Sequence, residues 1–270
     1  MLSMNKKKLT ICMPLFQIGG GEVVLMTVMN WLVCHGWDVT LVLFQKKGEM
    51  LERLDKRVVI TSLDASRFLT GFIYLIRYMR AYRPNVIMSS SMHSNVLVLL
   101  AKIVSRTNTK VILRVGSPLS VVFSKWKGRD KVIAFFTRKI YKKADKIIAV
   151  SKGIADDIVK VTNTPREKIV TIHNPKDVDF IRKQSEEYVP DVFKKNKGPF
   201  VLSVGRFTEA KDHPTLIKSF LQVRKKIKDL HLVLLGDGVP RALVAEHLPA
   251  QPAVMAAIHD AELGVALVTL

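Results

Sequence analysis

Gly205, Arg206 and Lys211 are the residues in this chain whose types and spacing most directly imply chemistry. A short apolar run, Val201 to Val204, ends at Gly205, and the two cations follow on one turn. An amphipathic helical pattern comes next (Leu216, Ile217, Phe220, Leu221, Val223), then a second apolar run, Leu232 to Leu235, closed by Gly236-Asp237-Gly238. A strand, a glycine, a cation-bearing loop and a helix N-terminus together make an anion site. Glycine lets the backbone turn close to a ligand, and the first helical N–H groups and the helix dipole favour negative charge. Arg206 can fork onto two phosphate oxygens while Lys211 acts as a point charge. The plainer reading is a strand–helix–strand unit with a solvated basic loop.

Two further places in the first half carry candidate residues. Leu9 to Phe16 reads as a buried strand, followed by the loop Gln17 to Glu22 with Gly19, Gly20 and Gly21, and by a helix over Val23 to Val33. Counting Gly19 and Gly21 as the first two glycines of a dinucleotide fingerprint puts Val24 at the third, so a nicotinamide or flavin site is not expected. The loop is then either a tight strand-to-helix turn or a place where backbone approaches an anion. The second place is the polar run Ser89 to Asn95 after the apolar Val86-Ile87-Met88, and His93 is its one histidine. Polar loops at the C-terminal ends of parallel strands are where open α/β sheets bind ligands. The same run also reads as a helix cap by Ser91 or Ser94.

Taken in order, these segments resemble the retaining glycosyltransferases of family 4, which have the GT-B architecture. The resemblance rests on G-R at Gly205-Arg206, K-D at Lys211-Asp212, L-I at Leu216-Ile217, Phe220 and G-D-G in the second half. In the first half it rests on Gly-Gly-x-Glu at Gly19–Glu22, A-V-S-x-G at Ala149–Gly153, and I-x-N-P-x-D at Ile172–Asp177. It covers about Leu9 to Gly238. The resemblance implies that Gly205, Arg206 and Lys211 hold the diphosphate of a nucleotide-sugar donor. It implies that the Gly19-Gly20-Gly21 loop approaches the donor phosphates and the acceptor, and that His93 lies near the transferred sugar. The arginine that often follows the loop glutamate is replaced by Val23. The implied donor is a nucleotide-sugar, the implied acceptor a lipid-linked or cell-envelope glycan, and no cofactor or metal is expected. Asp177-Val178-Asp179, the nearest approach to an Asp-x-Asp metal signature, reads better as a turn.

The elements that must position these residues form an α/β pattern. Asp38 to Phe44 closes the first β-α-β unit, Phe68 to Tyr82 is a helix, and Val96 to Val104 is another. Val111 to Val115 is a strand carrying Arg114. Val121 to Tyr141 reads as one basic helix interleaved with Trp126, Phe135 and Phe136. Asp145 to Ser151 is a strand whose Ser151 caps the helix Lys152 to Val161, and Ile169 to Pro175 is the last strand of the domain. The expectation is a complete doubly wound parallel-sheet domain of about six strands over 1–177, then a linker over 178–198. An incomplete second Rossmann-like domain over 199–238 and an atypical alanine-rich tail over 239–270 follow.

That tail changes composition. It holds one arginine and three acids, net −2, while the whole chain is +20, so the residues before it carry +22. Eight alanines fall between Arg241 and Leu270. A Glu-x7-Glu pair, which in the family contacts the transferred sugar and the ribose, is missing: Val254 stands eight after Glu246. These features are read as truncation within the donor domain by frameshift, fusion or expression artefact, with a natural alanine-rich helix as the alternative, and weak or absent transfer is expected.

The charge of +20 attracts polyanions. An anionic membrane surface fits the stretch Lys125–Lys143, whose cations can meet headgroups while aromatics enter the interface. A helix packed on the sheet with a solvated basic face is the other reading. The competing function is a non-catalytic basic module binding nucleic acid or anionic membrane, but no zinc spacing, RNP-type aromatic motif or strong helix-turn-helix signal marks nucleic acid as a partner. A hydrolase or epimerase of GT-B form is a third reading. Cys12 and Cys34 are too few for a disulfide framework, which fits a reducing compartment. Neither a signal peptide nor an apolar run long enough for a membrane span is legible. The expected place is the cytoplasm, peripheral at the inner membrane face.

Overall fold

The computed structural model describes residues 7–187, 198–236, 256–260 and 265–269. The chain divides into two compact units, Met1–Asp179 and Phe180–Leu270.

The first unit is built on seven parallel strands. In chain order the elements are β1 (Lys8–Met13), α1 (Gly20–Cys34), β2 (Asp38–Leu43), β3 (Val59–Ser62), α2 (Phe68–Tyr82), β4 (Val86–Ser89), α3 (Met92–Ser105) and β5 (Lys110–Val115). They continue with α4 (Leu119–Lys125), α5 (Asp130–Ile140), β6 (Lys146–Ala149), α6 (Lys152–Thr162) and β7 (Ile169–Thr171). The sheet order is β3-β2-β1-β4-β5-β6-β7. Successive side chains of a strand face opposite ways, and β1 shows the result. Ile11 and Met13 enter the core that α1 covers with Leu25, Met29 and Leu32. Cys12 enters the other core, which α2 and α3 cover with Leu75, Met79 and Leu97. Each such aliphatic side chain contributes about 1.5–3 kcal/mol when fully buried. Strands buried on both faces need continuous apolar runs, which is why these strands were legible in the sequence.

The structure departs from the sequence expectations in several places. β3 lies in a stretch that no sequence pattern singled out, and it pairs with β2 at the sheet edge. An edge strand of four residues needs little apolar content, so its signal is weak. The expected loop Gln17 to Glu22 is half helix, because α1 begins at Gly20. Glycine is a poor helix former, but burial of Val24, Leu25 and Met29 holds the first turn in place. Likewise α3 begins at Met92, so His93 stands in a helical first turn rather than in a loop. The single helix expected over Val121 to Tyr141 is two helices: Trp126 leaves the helical region at ψ 137, which ends the hydrogen-bond ladder. The expected linker over 178–198 begins with a helix, α7 (Val178–Glu187), while residues 188–197 lie outside the described residues.

The second unit contains β8 (Phe200–Val204), α8 (His213–Arg224), β9 (His231–Gly236), β10 (Ala256–Asp260) and β11 (Val265–Thr269) in a sheet ordered β10-β11-β9-β8. β8 and β9 are parallel, whereas β11 runs antiparallel to both β9 and β10. The tail therefore supplies two strands where the alternative expectation was an alanine-rich helix. Ile258, Val265, Val268 and Thr269 are β-branched, and pairing with β9 outweighs the helical preference of alanine. The change of composition at 237–255 falls outside the described residues. Phe207, Ile217, Phe220, Leu230, Leu232 and Leu234 form the core of this unit.

Candidate functional site

In the first unit, β1 pairs with β2 on one side and β4 on the other, so the chain's direction of winding reverses between β1 and β4. Loops leaving the C-terminal ends of two such strands diverge and leave a crevice. A cavity of about 340 Å³ lies at this edge of the sheet. Gly21 and Glu22 come to it from the start of α1, Ser90, Met92 and Asn95 from the loop after β4 and α3, Arg114 to Ser117 from the end of β5, and Asn174 from beyond β7.

Each side of this cavity is held locally. Gly19 is the N-cap of α1 and offers no side-chain cap. The Glu22 carboxylate folds back so closely over it that a Cβ there would collide. Ser91 caps α3: its hydroxyl accepts from the Ser94 amide at 3.2 Å, and the Ser94 hydroxyl accepts from the Ser91 amide at 3.3 Å, a reciprocal capping box. Behind them Asn95 is buried and links β4 to the turn after α5; its amide nitrogen donates to the Ser89 carbonyl at 3.0 Å and its oxygen accepts from the Tyr141 hydroxyl at 3.1 Å. Burial pushes the Tyr141 phenol up to about 12, with hydrogen bonds to Asn95 and Thr137 opposing it.

Arg114 is 7% exposed. Its guanidinium donates to Ser90 Oγ at 2.9 Å and to Asn174 Oδ1 at 2.7 Å. Burial lowers its pKa, and the field of Glu22 partly offsets this. In the sequence Arg114 reads as a strand residue with no role of its own. The available signal was a cation inside the apolar run Val111–Val115, a position that water cannot readily reach.

His93 lines a different cavity, of about 470 Å³, with Arg67, Ser91 and Gln45 among its walls. Its Nε2 lies 3.2 Å from Asp130 Oδ1, and its ring is 5.5 Å from that of Trp126. The structure therefore brings Gly21 to Arg114, and sets His93 in the neighbouring cavity.

In the second unit the apolar β8 ends at Val204, and the Gly205 amide donates to the Leu235 carbonyl at 2.8 Å. Gly205 has φ +156, a conformation that side chains disfavour. The Lys211 side chain crosses over it, with Cε 3.1 Å from where a Cβ would stand. Lys211 ends a short 3-10 turn, Glu209–Lys211, and Asp212 caps α8 by accepting from the Thr215 amide at 3.4 Å. Phe207 is buried against the core, its ring 5.0 Å from that of His213, and anchors the loop. Arg206 and Lys211 remain exposed. Gly205, Lys211 and the start of α8 thus meet at the end of β8, with Arg206 beside Gly205 in the chain, an arrangement suited to a phosphate group. Among the described residues no group of three His, Cys, Asp or Glu side chains is placed to hold a metal.

The chain matches Glycosyltransferase Family 4 over residues 18–180 and Glycosyl transferases group 1 over residues 184–248. Among curated proteins it is similar to the N-acetylgalactosamine-N,N'-diacetylbacillosaminyl-diphospho-undecaprenol 4-alpha-N-acetylgalactosaminyltransferase of Campylobacter jejuni. The identity is 32% over 145 residues, covering 54% of this chain and 37% of that protein. It is 28% identical over 172 residues to an uncharacterized glycosyltransferase of Methanocaldococcus jannaschii, covering 61% of this chain and 42% of that one. The chain thus spans well under half the length of either relative. Among solved structures it resembles a glycosyltransferase from Rickettsia africae, with TM-score 0.62 and 17% identity, over 90% of this chain and 65% of that one.

Proposed function

The chain belongs to glycosyltransferase family 4 and has the α/β fold of the GT-B enzymes, and from that premise we propose that it binds a nucleotide-sugar whose sugar is destined for a lipid-linked or cell-envelope glycan, with transfer by this chain weak or absent for want of the Glu-x7-Glu pair. The observation that carries the donor half of this reading is the Lys211 side chain laid over Gly205 at the start of α8. In this reading Arg206 and Lys211 neutralise the diphosphate as negative charge grows on it during bond breaking, the task a divalent ion performs elsewhere. Transfer is with retention at the sugar carbon, as the family resemblance implies. A lipid-linked acceptor is supported by the Campylobacter relative, whose name places its own substrate on diphospho-undecaprenol.

Such an acceptor lies at a membrane surface, and the first unit has a face suited to one. Val121, Val132 and Phe135 are exposed on α4 and α5, among Lys125, Lys127, Arg129, Lys131 and Lys139. Each cation near an anionic surface contributes up to about 1 kcal/mol, screened by salt. This face supports attachment at an anionic membrane surface, and the inner, cytoplasmic side is the proposed one. No helix among the described residues is long and apolar enough to cross a bilayer.

Isothermal titration with UDP and GDP tests the donor reading. One of the two is expected to bind, and Arg206→Ala to remove detectable binding. Equal binding by both proteins would move the donor site elsewhere.

A further inference from the structure

We infer that the first unit binds a phosphoryl group through Arg80, Arg83 and Arg106, at the edge of the sheet where its strands begin and so at the opposite end from the β1–β4 crevice. The sheet is parallel, and the turns that enter β4 and β5 therefore lie side by side at that edge. Arg83 closes α2 just before β4, and Arg106 closes α3 just before β5. With Arg80 they line one cavity of about 320 Å³, a size found among small-molecule sites. Its wall carries three hydroxyls in a chain: Ser105 to Thr107 at 3.2 Å and Thr107 to Thr109 at 3.0 Å. No Asp or Glu lines the cavity, and the sequence holds none between Asp64 and Asp130.

Support of the helix ends does not use up these cations. The C-terminal dipoles of α2 and α3 favour positive charge, but each helix already carries a cation in its last turn, Arg80 in α2 and Lys102 in α3. Arg80 also donates to the Val104 carbonyl at 3.1 Å, one of the acceptors left over at the end of α3. Among the described residues the Arg83 and Arg106 side chains form no hydrogen bond or ion pair. Both residues also stand at positive φ, +43 for Arg83 and +55 for Arg106, where glycine or asparagine is the usual helix-ending residue. Three like charges around one cavity repel one another, and an anion with several oxygens relieves that repulsion. Guanidinium forks take phosphate oxygens in pairs, and the hydroxyls can donate to the remaining ones. Two sources share this chemistry: a free phosphorylated solute, and the headgroup of an anionic lipid, for which Tyr82 and Val104 offer exposed apolar surface alongside.

The test uses the whole chain labelled with ¹⁵N-arginine and titrated with inorganic pyrophosphate. The side-chain resonances of Arg83 and Arg106, assigned by their loss in Arg83→Asn and Arg106→Asn, are expected to shift together and to saturate. Asparagine accepts the left-handed conformation, so these variants keep the helix ends and remove the guanidinium. Each should weaken pyrophosphate binding by about tenfold, read on the other arginine. Arg77→Gln removes an exposed cation of α2 outside the cavity and should change binding by less than about twofold. The shifts should persist in Arg206→Ala, which separates this site from the donor reading. Vesicles of phosphatidylglycerol, compared with phosphatidylcholine, distinguish the sources. Capture that Arg83→Asn weakens and Arg77→Gln does not assigns the headgroup; capture that Arg83→Asn leaves unchanged, with pyrophosphate still bound, assigns a free solute. If pyrophosphate moves neither resonance and Arg83→Asn leaves vesicle capture unchanged, or if Arg77→Gln weakens binding as much as Arg83→Asn does, the inference fails.

Discussion

The chain carries two cationic sites at the ends of parallel strands, and they are built in opposite ways. Arg114 sits within a strand, buried and clamped by residues from two other strand ends. Arg206 and Lys211 stand exposed on a loop held down by Phe207. The surroundings differ as well. The sheet beneath Arg114 has a core on both faces, while β8, which leads to Arg206, leaves Phe200, Val201, Leu202 and Val204 at least 40% exposed. A buried cation is oriented before any ligand arrives, and its charge is little screened. An exposed pair must give up side-chain freedom on binding and is screened by salt. The same residue type is thus held rigid and buried in one unit and left exposed on a loop in the other.

Phe207 anchors the exposed loop and is its most sensitive position. Phe207→Ala should cost the second unit about 3–5 kcal/mol if Phe207 packs as a core residue, and nucleotide binding should fall with it. A melting midpoint unchanged by this substitution would show that the loop is held by something else. The next largest effect concerns the two arginines. Arg114→Ala should destabilise the first unit by about 1–3 kcal/mol, because a buried side chain loses its packing, whereas Arg206→Ala should stay within about 0.5 kcal/mol. Equal effects in chemical denaturation would erase the distinction between clamped and free cations.

Asp145 offers a smaller check on how the first unit holds charge. Burial alone would raise its pKa, but hydrogen bonds from Lys102 at 2.6 Å and the Val111 amide at 2.7 Å outweigh this and lower it. A carboxylate depressed on folding stabilises above its unfolded pKa, and that contribution is lost as pH falls through the lower folded value. Asp145→Asn should therefore cost about 1 kcal/mol at neutral pH, the side chain being partly exposed. The cost should vanish in acid below the ordinary carboxylate range. A deficit that persists there would assign it to packing rather than charge. The gentlest probe is salt. Co-sedimentation with anionic liposomes should fall as salt rises if the α4–α5 face is the contact, and indifference to lipid charge would remove that face from the argument.

Much of this was legible locally. Phe68–Tyr82 reads as a helix from its own periodicity and is one. Ser151 reads as a cap and accepts from the Ile154 amide at 3.3 Å. The glycine after Val204 marks a turn and has the positive φ that calls for glycine. In each case the determining interactions lie within a few residues of one another, so composition and spacing suffice.

The alternation of strands and helices, the apolar runs that must be buried and the cation-bearing loop of the second unit follow from local residue order alone. The partners of Arg114, by contrast, come from the packing of distant segments. Ser90 is 24 residues away and Asn174 is 60, and they become neighbours because β4, β5, β6 and β7 stand side by side with their C-terminal ends at one edge. The same holds for β3, recruited to an edge by its partner rather than by its own composition, and for the tail, whose alanines join a sheet because β9 offers an unpaired side. Local propensity amounts to a few tenths of a kcal/mol per residue. Strand pairing and burial across the chain contribute more, and their partners cannot be read from spacing alone.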